Sequence, residues 1–510
     1  MPTANPHTFD LAVVGFGAAG SAAALTAARQ GARVALLEKQ PADAHFSSTR
    51  LSGGLIATVT DVDAAMPYLE RCAGGLIPAE HLRRWAERAA RLPEWLREIG
   101  LPTRRIAGGW YPRMEGADAV GVLSIVKGGA DAGDHDDFAL AARAGSLPAG
   151  LMATGRFGNG RDLADALEAA VHGEPGITVL HAHAAARLLR APDGAVNGVE
   201  ALTPSGTRRI PAARGVILCC GGFEFDEALK RDFLKAFPMH FYGCRASTGD
   251  GIRMAQEAGA ALWHMGQIVG KAVAHFDHDG EPMNFNITIG PPGYAITDRY
   301  GRRFANEHAQ AASGQQFYHQ MLMFDSDLLA YPRIPSFWFF DRRRMESGPI
   351  ANPDVGLVGS GLYAWSGDNR RELERGWIAT GATVEDAARA AGVLDPAAAA
   401  RAIADYNRAC RTGRDRFGRP GESLVPLEPP FYCMPLWPGG ACTCGGPQRD
   451  PDARIVGAAG KPIAGLFAAG ELGEVVGLAA PSGGANLSDG LCFGQIAAET
   501  ALRDHCRDTA

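Results

Sequence analysis

Residues 9–39, FDLAVVGFGAAGSAAALTAARQGARVALLEK, decide the fold. An apolar run, LAVVG, meets a glycine turn, then a small-residue stretch of helical length, then VALLE. That order predicts strand, helix and strand within about 30 residues, the length of a βαβ unit. Gly15, Gly17 and Gly20 form GxGxxG between the predicted strand and helix, the context in which this spacing cradles a dinucleotide. Gly15 permits the tight turn, Gly17 lets backbone approach a pyrophosphate, and Gly20 lets helix pack on strand. The anion then rests on the helix N-terminus, at Ala18 and Ala19, where unpaired N–H groups and the dipole favour it. Glu38 ends the second strand, followed by Lys39, and is placed to accept hydrogen bonds from ribose hydroxyls. A carboxylate there repels a 2′-phosphate, so FAD or NAD is expected rather than NADP.

Composition limits what surrounds this unit. The chain has 510 residues, which at about 150 per domain predicts two or three domains. Apolar residues make up 46% and charged residues 21%, excluding a disordered chain and a small disulfide scaffold. The 65 glycines follow no G-X-Y period, so they indicate many tight turns or backbone brought close to a ligand. Net charge is −6 and the 50 Lys and Arg are scattered, which argues against a nucleic-acid partner. No apolar run reaches the roughly 18 residues of a membrane span, and MPTANPHTFD lacks the basic and apolar regions of a secretory signal. A cytoplasmic protein with no membrane span is expected. The ten cysteines are expected as thiols, and neither Cys219-Cys220 nor Cys442 with Cys444 has zinc-knuckle spacing, so no metal is expected.

The far end separates FAD from NAD. Residues 465–499, GLFAAGELGEVVGLAAPSGGANLSDGLCFGQIAAE, read as a strand, an acid, a glycine-rich loop and a small-residue helix. With SSTRLSGG at 47–54, ILCCGGFEFD at 217–226, STGDGIRMAQEAGA at 247–260, GRRFANE at 301–307 and CTCGG at 442–446, nearly the whole chain resembles the FAD-dependent fumarate reductase/succinate dehydrogenase flavoprotein superfamily. Its pattern is most similar to the 3-ketosteroid dehydrogenase-like branch. The resemblance implies an α/β fold: a discontinuous Rossmann-like FAD-binding domain, 1–265 and 432–510, with a helical insertion at about 55–150 and an inserted α+β cap or substrate domain at 266–431. Within that cap, TVEDAARAAG and DPAAAARAIADYNRAC read as helices started by Thr383 and Asp395.

The resemblance also assigns cofactor roles. Ser48, Thr49, Ser52, Gly53 and Gly54 are expected along the pyrophosphate and isoalloxazine. Ala185 is expected at adenine, and Thr248 and Asp250 near the adenosine half. Cys220 and Gly221 follow a strand toward the cofactor, and Gly470 and Glu471 reach the ribityl chain. Ala485, Asn486 and Leu487 are expected to meet the flavin pyrimidine at a helix start, whose dipole steadies the negative charge of reduced flavin. In succinate dehydrogenases a histidine links the flavin covalently. That register holds Ser47, with His45 two residues away, so noncovalent FAD is expected.

Acid/base groups are harder to read. The two fumarate reductase arginine registers hold Ala311 and Pro481, and the histidine of its HT-x-GG segment is Cys442, which argues against a C4 dicarboxylate. The two tyrosine registers of the ketosteroid dehydrogenases hold Ala311 and Ala480, although Pro481-Ser482-Gly483-Gly484 keeps the pattern of the branch forming 4-enes. Replacement candidates are Tyr318 and His319 in GQQFYHQML, His308 after Glu307, and Ser482 as a hydrogen-bond donor to a carbonyl. The expected function is α,β-dehydrogenation of an apolar cyclic ketone or steroid-like substrate, by hydride transfer to flavin N5. The alternatives are a reductase of an activated alkene, or a flavin-holding isomerase or degenerate member without net redox turnover. The partners are then a small apolar molecule with a carbonyl and an electron acceptor or donor that the residues do not name.

Overall fold

The protein is described by a computed structural model covering residues 9–126, 160–290, 292–308, 315–351, 363, 365–477 and 482–508. The chain divides into two compact units. One comprises residues 1–233, 244–269 and 442–510, the other 234–243 and 270–441. The expected domain limits, 1–265, 266–431 and 432–510, place the segment 234–243 differently.

The first unit is built on a six-stranded sheet. Its strands run in the order Arg454–Val456, Pro462–Ala468, Val216–Leu218, Leu11–Val14, Val34–Leu37 and Ile177–Leu180. All pair in parallel except the first two. Leu11–Val14 is central, with Val13 opposite Ile217 on one side and Leu36 on the other. Four-residue strands buried at every position have the continuous apolar runs that parallel sheets require. The turn after Leu11–Val14 opens into the helix Ala18–Arg29, which packs against the C-terminal helix Ala485–Asp508. Small residues allow that crossing: a side chain at Gly494 would run into the Ala19 carbonyl, and one at Gly490 would lie 3.4 Å from Ala19 Cβ. The core of this unit includes Phe16, Trp85, Phe467 and Phe493.

Two antiparallel three-stranded sheets accompany it, Ile56–Val59 with Val120–Ile125 and Thr103–Gly108, and Ala184–Arg190 with Val196–Thr203 and Gly206–Pro211. The first shows that the insertion expected to be helical also carries strands. Its part beyond residue 126 lies outside the described residues, as do Ala311, Ala480 and Pro481.

The second unit is a sheet ordered Glu281–Asn286, Ile268–His278, Phe431–Thr443, Ser336–Asp341 and Tyr294–Thr297, with His240–Phe241 and Ala379–Gly381 both pairing to Phe431–Thr443. Alternation sorts its faces. Ala272, Ala274, Phe276, Met283, Phe285, Met434 and Leu436 point into an aromatic core with Trp338, Phe340 and Trp365. Another face of this unit is packed by the helices Val384–Ala391 and Pro396–Thr412. Thr383 and Asp395 cap them, Thr383 Oγ1 accepting from Asp386 N at 3.1 Å and Asp395 Oδ1 from Ala398 N at 2.8 Å.

Candidate functional site

Three glycines at the first turn serve two purposes. Gly15 has φ +107°, and a Cβ there would collide with the Cys219 carbonyl, while one at Gly20 would collide with the Gly15 carbonyl. Both are fixed by the protein's own backbone. Gly17 is not: it caps Ala18–Arg29 without a side-chain hydrogen bond, and a Cβ there would approach only Thr49 Oγ1, at 3.4 Å. Nothing among the described residues occupies that approach, which is the condition for an anion to reach the helix N-terminus. Ala18 N donates to Thr49 Oγ1 at 2.8 Å, binding the SSTRLSGG segment to the turn. Within it Ser48 begins a short helix capped by Ser47. Ser52 Oγ donates to Thr49 O at 2.7 Å and accepts from Gly54 N at 3.1 Å. Apart from its chain neighbours, Gly53 has no atom of the described residues within 4 Å of where its Cβ would stand.

At the other end of the cradle, buried Glu38 is held by two amides, Phe16 N to Oε2 at 3.1 Å and Gln40 N to Oε1 at 2.9 Å. His183 N donates to the Glu38 carbonyl at 2.9 Å, which brings the strand bearing Ala185 alongside. Lys39 Nζ reaches Thr248 Oγ1 at 2.8 Å and Asp250 Oδ2 at 2.7 Å, so this trio is drawn together as a unit. His45 stacks on Phe16 with ring centroids 5.2 Å apart and has Nδ1 3.3 Å from Glu168 and Nε2 3.7 Å from Glu38.

The C-terminal segment supplies a buried acidic corner. Cys220 lies under Val14, its Sγ donating to Val14 O at 3.7 Å. A Cβ on Gly221, φ +72°, would lie 3.0 Å from Ser247 Oγ and 3.6 Å from Glu471 Oε2. Gly470, φ +77°, would bring its Cβ to 3.2 Å from Ala19. Burial pushes the Glu471 carboxyl up to about 7, against a hydrogen bond from Cys442 that pulls it down. Asn486 Nδ2 donates to Cys442 Sγ at 3.1 Å and Glu474 Oε2 at 3.0 Å, and Thr443 Oγ1 donates to Glu224 Oε2 at 3.0 Å. Glu224 and Glu474 are also pushed well up, first by burial and then by neighbouring negative groups. Their Oε1 atoms have no partner among the described residues. The sequence contained their signal, acids in GGFEFD and ELGE, but strand and turn positions alone did not show that they turn inward. Ala485 is buried and Asn486 and Leu487 half-buried at the helix start. Just before it, Ser482 is buried with a hydroxyl that has no partner among the described residues.

The remaining candidates lie in the second unit. Tyr318 is buried, its hydroxyl 3.9 Å from Met239 Sδ and its ring against Gly270. Neighbouring His319 is exposed. Desolvation lowers its pKa, and Lys235 adds to the shift. His308 is half-buried, and desolvation followed by Arg419 lowers its pKa too, so both imidazoles favour the neutral form. A residue that sequence reasoning passed over is Lys271, half-buried, with burial pulling its pKa down to about 8. It lies in an unremarkable run, IVGKAVAH, where nothing marks a lysine as turned inward.

The open approach at Gly17, the fixed carboxylate of Glu38 and the polar corner at Glu471 and Asn486 fit a bound FAD. No group of three or more His, Cys, Asp or Glu able to hold a metal occurs among the described residues, and no described helix is long and apolar enough to cross a membrane. The family described as FAD binding domain matches residues 10–487. The chain is 27% identical to the 4-oxocyclohexanecarboxylate 2-dehydrogenase of Sinomonas cyclohexanicum, over 97% of this chain and 92% of that one. It is also 27% identical to a 3-oxosteroid 1-dehydrogenase of Mycobacterium tuberculosis (strain ATCC 25618 / H37Rv), over 96% and 97%. In fold it is similar to the crystal structure of 3-ketosteroid delta1-dehydrogenase from Sterolibacterium denitrificans in complex with 1,4-androstadiene-3,17-dione, with TM-score 0.80 at 23% identity, covering 98% of this chain and 100% of that one.

Proposed function

The chain belongs to the FAD binding domain family and is an FAD-dependent oxidoreductase, and we propose that it dehydrogenates the Cα–Cβ bond of an apolar cyclic ketone. Ser482 carries this reading. A buried hydroxyl with no partner among the described residues costs about 1–3 kcal/mol, which supports a ligand oxygen as the partner of this one beside a helix start. Both curated relatives are named as dehydrogenases of an oxo-substituted substrate, which supports a ketone as that ligand.

In this account the Ser482 hydroxyl donates to the ketone oxygen and draws electron density from the adjacent carbon, making its Cα proton more acidic. For the base that takes that proton the sequence offers His308 and His319 as neutral imidazoles, with Tyr318 the third candidate. Geometry decides among them and a pKa below the usual imidazole value favours the first two as bases. When bound, FAD supplies the acceptor of the Cβ hydride at N5. The proton and hydride together account for the two hydrogens lost as the ring ketone becomes an enone. The amides at Ala485–Leu487 lie at a helix start, where the dipole favours the charge that builds on reduction.

We further propose that the FAD is noncovalent. His45, the histidine nearest the linking register, is engaged with Glu38 and Glu168 at the end of the cradle expected to hold ribose. Yellow colour should leave the polypeptide on denaturation; colour retained on the chain would contradict this. The function itself is tested by turnover of 3-ketosteroids and cyclohexanones with an artificial electron acceptor. The expected product is the α,β-unsaturated ketone. No product from any ring ketone, with rapid flavin reduction by NADH and consumption of activated alkenes, would instead establish the reductase.

A further inference from the structure

The helix Pro396–Thr412 in the second unit divides its faces by spacing. Ala399, Ile403 and Tyr406 are buried in a core cluster, while Ala398, Arg401, Ala402, Asp405, Arg408 and Thr412 recur at three- or four-residue steps on another face. That face forms one wall of a groove of about 550 Å³, closed on the other side by residues 301–303 and 414–416. Gly301, φ +75°, lets the facing turn lie against the helix, since a Cβ there would stand 2.5 Å from Ala399 N. The whole groove belongs to the second unit.

It is strongly basic. Six arginines line it against two aspartates, an excess of four positive charges in a chain whose net charge is −6. Both aspartates are already engaged within the protein. Asp415 Oδ1 lies 2.7 Å from Nη1 of buried Arg303, which Glu307 holds through Nε at 2.8 Å. Asp405 pairs with Arg408 one turn further along the helix. The other four, Arg302, Arg401, Arg414 and Arg416, are exposed. Arg401 lies 3.8 Å from Asp395, and Arg416 donates to the Arg303 carbonyl at 2.9 Å. Arg302 and Arg414 form no ion pair among the described residues, and Asp298 meets Arg302 only at its amide, 2.9 Å from Oδ1.

Like charges gathered on one groove repel unless an anion lies among them. Every one of these cations is an arginine, whose planar fork matches phosphate and carboxylate oxygens in pairs. The volume is that of a small-molecule site, and fewer residues line it than the roughly 20–30 that a protein interface draws from each side. We propose that this groove binds a polyphosphate, the phosphoanhydride chain of a nucleotide or of inorganic tripolyphosphate. The Glu307–Arg303–Asp415 knot keeps one wall rigid, and Arg302, Arg401, Arg414 and Arg416 supply the donors. This site goes beyond the ketone reading and does not depend on it.

The test is calorimetric titration of the FAD-saturated holoenzyme, in metal-free buffer at low salt, with tripolyphosphate, with ATP and with oligoglutamate. Tripolyphosphate and ATP should each bind once per chain and displace one another, with affinity falling as sodium chloride is raised through the range that screens exposed charges. R302Q/R414Q, which removes the two arginines without an ion pair, should weaken both by about tenfold, the effect of two exposed ion pairs, with FAD content unchanged. ATP binding tighter than tripolyphosphate supports a nucleotide as the source of the chain, and equal affinities support the inorganic chain. If the double variant does not fold, R401Q should weaken binding in the same direction. No saturable binding of either phosphate, or affinities unchanged in the variant, would overturn the proposal. So would oligoglutamate binding tighter than both and displacing them, which would give the groove to an acidic protein segment.

Discussion

The guanidinium of Arg449 lies 3.0 Å from the carboxylate of Asp489, and neither side chain has any exposure. Each also holds backbone. Arg449 Nε donates to Gly473 O at 2.7 Å, and Asp489 Oδ2 accepts from Val475 N at 2.9 Å. The pair therefore fixes the 473–476 segment, with Glu474 in it, to the C-terminal helix. Substituting R449M or D489N leaves a buried charge uncompensated and should cost about 3–5 kcal/mol, read by denaturant unfolding of each variant. A loss below about 1 kcal/mol for both would show that the pair does not hold this corner.

Gly17 and Gly20 should respond differently to a side chain. G20A drives a methyl group into the Gly15 carbonyl and should lower thermal stability, costing about 1–3 kcal/mol. G17V meets nearly open space and should leave the fold stable while reducing FAD content, because the added branch fills the path to the helix N-terminus. Thermal unfolding and FAD per chain measure the two effects separately. Full FAD content in G17V would remove Gly17 from the cofactor cradle.

The Glu471 carboxyl gives a pH dependence of known sign. Its pKa in the fold is raised from 4.5 to about 7, chiefly by burial. The folded chain thus binds more protons than the unfolded chain across that window. The stability linked to this group is fully present below about 4.5 and is lost as pH rises through about 7. E471Q, which carries no charge at any pH, should flatten the fall in melting temperature across this interval. Parallel curves for wild type and E471Q would contradict the assignment.

Removing the Ser482 hydroxyl should impair turnover rather than cofactor retention. S482A is expected to lower kcat/KM for ring ketones on the order of a hundredfold, as loss of a donor to developing negative charge does. FAD content is the companion measurement. A rate equal to wild type would show that the ketone oxygen is held elsewhere.

Much of this was legible from residue order. The strand-turn-helix around Gly15, Gly17 and Gly20, Glu38 at a strand end, and the caps Thr383 and Asp395 all follow from local rules, because spacing of one or two turns determines what those groups can touch. The antiparallel strands at 56–59, 103–108 and 120–125 were hidden among strongly helical neighbours, and it is pairing that makes them strands, Ile56 with the distant Leu123 and Thr103 with the nearer Ile125. Lys271, Glu224 and Glu474 escaped for another reason: burial of a charge depends on which face of a strand or turn it occupies, and a single charged residue leaves no periodic signal. The acid/base set was illegible in the same way, since an imidazole can be delivered from several positions.

The central claim, that ring ketones are dehydrogenated at Cα–Cβ with FAD as hydride acceptor, is tested most directly by anaerobic rapid mixing of the oxidised holoenzyme with cyclic ketones. Bleaching of the oxidised flavin, one enone formed per flavin, and slower bleaching when Cβ carries deuterium are expected. A flavin spectrum that stays oxidised with every ring ketone, charged or neutral, would contradict it.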